Sequence, residues 1–553
     1  MVADSKGKTM SSVDAAWLHM EIPSNLMMIT GIFIFDRSLD CARLKTTLEQ
    51  RFLSFDRFRQ RVVEPRFGLG SPRWEIDPHF DINNHVHRIA LPFPGDQETL
   101  QELVSDLMST PLDFTKPLWQ YHVVEGYGDG CALICRLHHC IGDGMALMQV
   151  LLSMTDDALE ATWIPSEDQE GSRRRGSPLR LITGPVTAAL GATRQLTGSL
   201  LSESWEMISN PGHALDRIRL GTNMTLALGR LLFLPPDPKT VFKGPLGVQK
   251  RAAWTRSMPL ADIKAIGQAT DSTVNDVLIS AAAGALRRYL VGCGQEVEGL
   301  NCRAVVPVDL RQGQESQELG NRFGLFFLSL PVGMADSLLR LQELKHRMDQ
   351  LKGTPEAVVA FAILYALGMT PTEIENIVVN IFGLKATAVM TNVPGPQQQL
   401  YLAGAPIRQI MFWVPQSGRL GLGLSIFSYN QQVLVGFATD AGLVPDPESL
   451  AAHFEAEVDA LLSLVRQEAE EVARADLGLE RAWPVTGGDD LARIKGIGPS
   501  FAARLRSSGV HTFAQLASSE VETLAAVVQA PDWRRPDYRS WIDQARSLAV
   551  VEL

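Results

Sequence analysis

Cysteine is scarce in this chain: six residues (Cys41, Cys131, Cys135, Cys140, Cys293 and Cys302) among 553. So few thiols in so long a chain make no disulfide framework, and a chain of this length buries enough apolar surface to need none. An excess of positive charge is also missing, because 51 Lys and Arg stand against 62 Asp and Glu, a formal net charge of −11. A main partner made of nucleic acid would demand a net basic footprint, so the balance argues against one. Long apolar runs are absent as well. The longest, 357–369, falls short of the roughly 20 residues that span a bilayer, and residues 1–10 are polar, without the apolar core of a signal peptide. Polar excess is not the reason, since 45% of residues are hydrophobic and 20% charged, which excludes a mostly disordered chain. The expectation is a soluble protein of a reducing compartment, with three to four domains at roughly 150 residues each.

Two stretches read as mixed α and β. In the first, 29–35 is rich in β-branched and aromatic residues and predicts a strand, while 42–52 carries Leu44, Leu48 and Phe52 at helical spacing. A second strand, 131–137, runs into a His-His pair, and 145–154 is an apolar helix. The second stretch predicts helix over 263–289 and 447–466, with strands at 303–306, 323–330, 422–429 and 433–439. Asp446 is placed to cap the last helix, and Pro447 suits its first turn. Between them, 171–234 carries eight arginines against three acidic residues, with amphipathic spacing from Val186 to Leu201. This segment is read as a crossover helix packed on its own domains, the alternative being attachment to an anionic membrane surface.

The most informative segment is His138-His139-Cys140-Ile141-Gly142-Asp143-Gly144, where a strand ends, a short loop turns and a helix opens. Acyl transfer to a hydroxyl needs a base of moderate pKa, and histidine is the commonest choice. A nearby Asp can hold the loop or the imidazole without reacting. Gly144 permits turn geometry that a side chain would obstruct. Zinc is the competing reading, with three cysteines and two histidines so close. However, Cys131, Leu133, Cys135 and Leu137 alternate onto one strand face as small buried hydrophobes do, and no paired Cys-x-x-Cys spacing occurs.

The His138-His139-x-x-x-Asp143-Gly144 pattern resembles the signature of the acyltransferase superfamily that includes chloramphenicol acetyltransferase and peptide-synthetase condensation domains. Its companions narrow the resemblance to the bacterial wax ester synthase/acyl-CoA:diacylglycerol acyltransferases. They are Ser12-Val-Asp-Ala-Ala-Trp17, Pro111-Leu-Asp-Phe-Thr-Lys-Pro-Leu-Trp119, Pro235-Pro-Asp-Pro-Lys-Thr240 with Gly244-Pro-Leu-Gly247, and Thr273-Val-Asn-Asp276. Val306-Pro-Val-Asp-Leu-Arg311, Leu319-Gly-Asn321 and Thr391-Asn-Val-Pro-Gly-Pro396 follow in the same order. Together they span roughly residues 10–465.

The resemblance implies an α+β fold: two chloramphenicol-acetyltransferase-like halves (1–156 and 244–470) joined by a long helical linker (157–243), plus a small all-α domain at 488–553. It also implies O-acyl transfer from acyl-CoA, a co-substrate rather than a cofactor, to diacylglycerol or a long-chain alcohol, without a metal. His139 would be the general base, Asp143 a structural carboxylate paired with an arginine, and His138 and Gly144 would shape the loop. Asn275 and Asp276 match a motif that binds or positions substrate, although Asn275 could equally cap a helix beginning at Val277. Pro117, Leu118 and Trp119 are read as channel wall or core packing, and Asn392 to Pro396 as a rigid turn. The implied location is cytoplasmic, peripheral to the inner face of the membrane or to lipid inclusions. The alternatives are an acyltransferase of the same superfamily using a carrier-bound donor or another acceptor, and a non-catalytic lipid-surface scaffold.

The tail departs from this pattern. Residues 489–509 resemble a helix-hairpin-helix with Gly496-Ile-Gly-Pro499 as the hairpin. From 488 onward eight basic residues balance eight acidic ones, which is poor for nucleic-acid affinity. The tail is therefore read as an interaction or packing module whose partner is open.

Overall fold

The structure is a computed structural model; it describes residues 7–65, 70–158, 234–310, 319–351, 383–416, 420–480, 489–497, 499–528 and 536–549, with five isolated positions besides. The basic segment between the two α/β stretches lies outside the described residues.

The N-terminal part gives β1 (Lys8–Thr9), α1 (Ser12–His19), β2 (Met28–Phe35), α2 (Cys41–Thr47), β3 (Gln60–Val63), β4 (Arg73–Ile76), β5 (Val86–Ala90), α3 (Gln97–Met108), β6 (Trp119–Tyr127), β7 (Gly130–His138) and α4 (Gly144–Met154). Then come β8 (Lys250–Trp254), β9 (Met258–Pro259), α5 (Leu260–Ala269), α6 (Val274–Gly292), β10 (Cys302–Asp309), β11 (Phe323–Leu330), α7 (Ser337–Leu351), β12 (Ala388–Pro394), β13 (Tyr401–Leu402), β14 (Ala405–Trp413), β15 (Leu422–Tyr429), β16 (Gln432–Asp440) and α8 (Pro447–Glu480). The tail holds α9 (Pro499–Ser507), α10 (Phe513–Ala517), α11 (Val521–Val528) and α12 (Tyr538–Ala549). The run expected to be helical at 263–289 is two helices. The α6 helix starts afresh at Thr273, whose hydroxyl accepts from the Asp276 amide while the Asp276 carboxylate accepts from the Thr273 amide.

Two mixed sheets carry the fold. The first has the order β13-β14-β2-β7-β6-β5, so two strands from beyond residue 400 complete a sheet begun at residue 28. The second runs β11-β10-β12-β15-β16-β8, with β9 also on β16. In β2 every residue is buried, as a continuous apolar strand at the centre of a covered sheet should be. The β2–β7 ladder is antiparallel and pairs Met28 with His138, which fixes where the His pair leaves the sheet. In the second sheet α6 is buried almost all round from Val277 to Leu286, as its apolar circumference requires. Glu457 of α8 ties this helix layer together: it accepts from Arg288 at 2.5 Å and from the buried Arg340 of α7.

The sheets lean on one another through aromatic side chains. Trp254 and Trp413 lie 5.7 Å apart between ring centroids, and Phe412 meets Phe427 edge-on at 5.5 Å. Gly436 makes the approach possible, because a Cβ there would stand 2.7 Å from the Trp413 indole nitrogen. The tail packs its own core of Leu491, Ile494, Phe501, Leu505, Phe513 and Trp541, separate from the cores that cover the two large sheets.

Candidate active site

Main-chain bonds hold the end of β7. The His138 amide donates to the Leu118 carbonyl at 3.0 Å and the His139 amide to the Met27 carbonyl at 2.7 Å. His138 is wholly buried. Its Nδ1 accepts from the Cys140 amide at 3.1 Å, which puts the ring proton on Nε2, and Nε2 lies 3.0 Å from Glu21 Oε2. The ring is therefore committed to its own loop and to Glu21.

Asp143 caps α4. Its Oδ1 accepts from the Met145 and Ala146 amides at 3.1 Å each, satisfying donors that the first helical turn leaves free. Its Oδ2 accepts from the main-chain amide of Arg322 at 3.0 Å. Gly144 corrects its expectation. It is the first residue of α4, outside the left-handed region, and a Cβ there would stand 3.8 Å from Val393, an ordinary contact. The turn does not require glycine; the residue instead lines a cavity described below.

His139 lies flat against Trp17, ring centroids 4.1 Å apart and 17° from parallel, with Phe323 at 5.8 Å. Burial pulls its pKa down to about 4, opposed by the Asp143 charge, by its own backbone carbonyl and by the Asn321 side chain. At neutral pH the imidazole is therefore uncharged and able to accept a proton. Asn321 donates from Nδ2 to the His139 carbonyl at 2.8 Å and to Asp14 Oδ1 at 2.8 Å. Helix α1 thus contributes Trp17 to the histidine ring and Asp14 to its support.

Asn275 does not cap the helix; Thr273 does. Asn275 Oδ1 instead accepts from Asn392 Nδ2 at 2.5 Å, joining the start of α6 to β12. For Asp276 the expected contact with substrate is replaced by structure: its carboxylate accepts from the Thr273 amide and hydroxyl at 2.9 and 2.8 Å and is buried. Leu118 and Trp119 are core, and the Trp119 indole donates to the Phe58 carbonyl at 2.8 Å. The segment expected as a turn at Asn392 is strand as far as Pro394, pairing with β15, and turns only at Gly395.

An apolar cavity of about 80 Å³, partly open to solvent, is lined by Gly144, Val393, Leu147, Leu151, Phe412 and Phe427 together with Gly31 and Cys135 of β2 and β7. A lining with almost no polar surface suits hydrocarbon rather than a polar group. The strand cysteines behave as small hydrophobes: all six thiols are free, and burial pushes Cys131 up to about 11 and Cys135 to about 12. Among the described residues no group of three or more His, Cys, Asp or Glu could hold a metal ion. Among them, too, no helix is long and apolar enough to cross a membrane.

Sequence reasoning gave no role to Asp14, Trp17, Glu21 or Asn321. Three of them stand in the Ser12–Trp17 and Leu319–Asn321 motifs, so position was signalled and purpose was not.

Two mixed sheets, the first completed by β13 and β14 from the second half of the chain, form a fold shared with condensation domains. A solved first condensation domain of the CDA synthetase superposes with a TM-score of 0.53 at 16% identity, covering 83% of this chain and 96% of that one. The wax ester synthase/diacylglycerol acyltransferase from Marinobacter aquaeolei VT8 superposes with 0.59 at 22% identity, covering 83% and 99%. Family models of the wax ester synthase/diacylglycerol acyltransferase catalytic domain and of the WS/DGAT C-terminal domain match residues 10–278 and 319–462. The chain belongs to the wax ester synthase/diacylglycerol acyltransferase family, and it is an acyltransferase. A probable diacylglycerol O-acyltransferase of Mycobacterium tuberculosis is 28% identical over 437 residues, 76% of this chain and 88% of that protein. Residues 491–549 match a model of the RS2/RL21/YNQ2 HHH domain, in keeping with the hairpin expected there.

Proposed function

We propose that this acyltransferase moves a long-chain acyl group from acyl-CoA to the hydroxyl of diacylglycerol or of a long-chain alcohol, with His139 as general base. The observation that carries the reading is a neutral, ring-stacked histidine in the loop that leads into Gly144, a residue lining the apolar cavity. His139 Nδ1 is buried, which leaves Nε2 to meet substrate. Nε2 takes the hydroxyl proton as the oxygen attacks the thioester carbon. The tetrahedral oxyanion collapses, the C–S bond breaks, and the imidazolium returns its proton to the departing CoA thiolate. No acyl-enzyme forms. Asn275, which commits Oδ1 to Asn392 and keeps its amide donors, positions substrate. Asp143 acts through structure alone.

In this reading 1–156 and 244–470 are the two catalytic halves, 157–243 their linker and 488–553 an appended module. Acyl-CoA is a co-substrate and no resident cofactor takes part. An enzyme with lipid substrates and no spanning helix among the described residues works peripherally, at the inner face of the membrane or at lipid inclusions. The test is thiol release from palmitoyl-CoA with dipalmitoylglycerol or hexadecanol, beside His139→Ala. Acceptor-dependent release, reduced at least about 1,000-fold in the variant, is expected. Folded protein that releases no thiol with either acceptor would sink the proposal in favour of a carrier-dependent enzyme or a scaffold.

A further inference from the structure

The Asp14–Asn321 pair is more elaborate than a packing contact. Asp14 is 3% exposed and Asn321 4%. Asp14 Oδ1 accepts from both the main-chain amide of Asn321 at 3.1 Å and its Nδ2 at 2.8 Å. The same Nδ2 donates to the His139 carbonyl, and Arg57, stacked over Trp74 at 4.1 Å, stands 3.8 Å from the outer Asp14 oxygen. Asn321 Oδ1 and His139 Nδ1 are among the buried polar atoms here that make no hydrogen bond of ordinary geometry, although the Asn321 side chain already acts on the imidazole. A buried acceptor and a buried ring nitrogen left without full partners are costly, and these two belong to residues already joined by a hydrogen bond. With Nε2 as the base the neutral ring carries its proton on Nδ1, so the donor that matches Asn321 Oδ1 is present before the reaction starts.

We infer that Asn321 is the positioning residue of His139: its Oδ1 faces the Nδ1–H of the neutral ring, fixing the tautomer that leaves Nε2 free, and holds that proton more strongly once Nε2 has taken the hydroxyl proton, while Asp14 keeps the amide in the orientation that presents that oxygen. This rests on His139 being the base. With both donors spoken for, on Asp14 and on the His139 carbonyl, the amide cannot flip without leaving two hydrogen bonds unmade. The carboxylate acts through the amide rather than on the ring, so the negative charge steadies the imidazolium without trapping it. The arrangement also couples the site to assembly, because α1 supplies Asp14 and Trp17 while Asn321 stands just before β11 of the second sheet.

The discriminating variant exchanges the two residues, Asp14→Asn with Asn321→Asp. It keeps one carboxylate and one amide in the same buried space but moves the charge beside Nδ1. The other charged or titratable groups around His139 are His138 and Asp143 on its own loop, Cys140, Glu21 against His138 and Arg57 behind Asp14; all stay in place. The acid limb of kcat/KM for palmitoyl-CoA with hexadecanol is expected to rise by at least about one pH unit, with KM within about threefold of wild type. Asn321→Ala is expected to lower kcat about 10–100-fold with KM likewise little changed. A folded exchange variant whose acid limb stays put, or a folded Asn321→Ala with wild-type kcat, would overturn the inference. Where Asn321→Ala does not fold, the near-isosteric exchange decides alone. His139→Ala, run alongside, separates the two readings: if it keeps the wild-type rate, the base assignment has failed, whereas a dead His139→Ala with an unmoved acid limb faults only Asn321.

Discussion

Gly31 and Cys135 face each other across the β2–β7 ladder at the inner end of the cavity. A Cβ on residue 31 would stand 2.7 Å from the Cys135 sulfur, closer than real contacts allow, so Gly31→Ala must push that thiol into the space a chain would occupy. If the acyl group lies there, the ratio of palmitoyl-CoA to octanoyl-CoA turnover should fall about tenfold, since one methylene in an apolar pocket is worth roughly 1–3 kcal/mol. Adding Cys135→Ala should restore it. An unchanged ratio would place the acyl chain elsewhere.

At the scale of the element, the start of α4 is held by a single carboxylate, that of Asp143. Asp143 satisfies two helix amides with one oxygen and the Arg322 amide with the other, thereby pinning the loop of the first sheet to the approach of β11. Asp143→Ala removes the cap and leaves a cross-sheet donor unpaired, an expected loss of about 2–4 kcal/mol by denaturant titration. Asp143→Asn keeps Oδ1 as an acceptor and should cost clearly less. Equal losses would mean that the charge, not the cap, is what the loop needs. The α6 start shows the same logic: Thr273 and Asp276 close a reciprocal cap, which frees Asn275 to reach β12.

At the scale of the whole molecule, the tail fills a core of its own among the described residues, from a residue set separate from the cores of the two large sheets. Its helices bury Phe501, Leu505, Phe513 and Trp541 against one another, and the hairpin turns at Gly496, where φ is +99° and a Cβ would press on the Trp541 indole. A chain ending at residue 488 should therefore fold and keep kcat within about twofold, because no buried residue of the sheet cores is lost. A truncated chain that folds but turns over at least about tenfold more slowly would show that the tail takes part in the reaction.

The His138–Gly144 loop was legible in the sequence because its parts are local. A strand, two histidines, a short loop and a capping Asp lie within fifteen residues of one another, and local spacing dictates local structure. The apolar run of β2, the alternating cysteines of β7 and the strands at 323–330 and 422–429 were fixed in the same way, each by its own pattern. What surrounds His139 was not legible. Trp17 and Asn321 are more than a hundred residues from it in either direction, and their contact depends on how two sheets meet rather than on any period in the chain. Nor could spacing show that Asp276 would spend its carboxylate on its own helix, or that β14 would leave its neighbours to complete the first sheet. Sequence alone determined which groups could do chemistry. The tertiary structure decided which of them are held, stripped of water and brought together, because burial and long-range hydrogen bonding exist only once the sheets have packed.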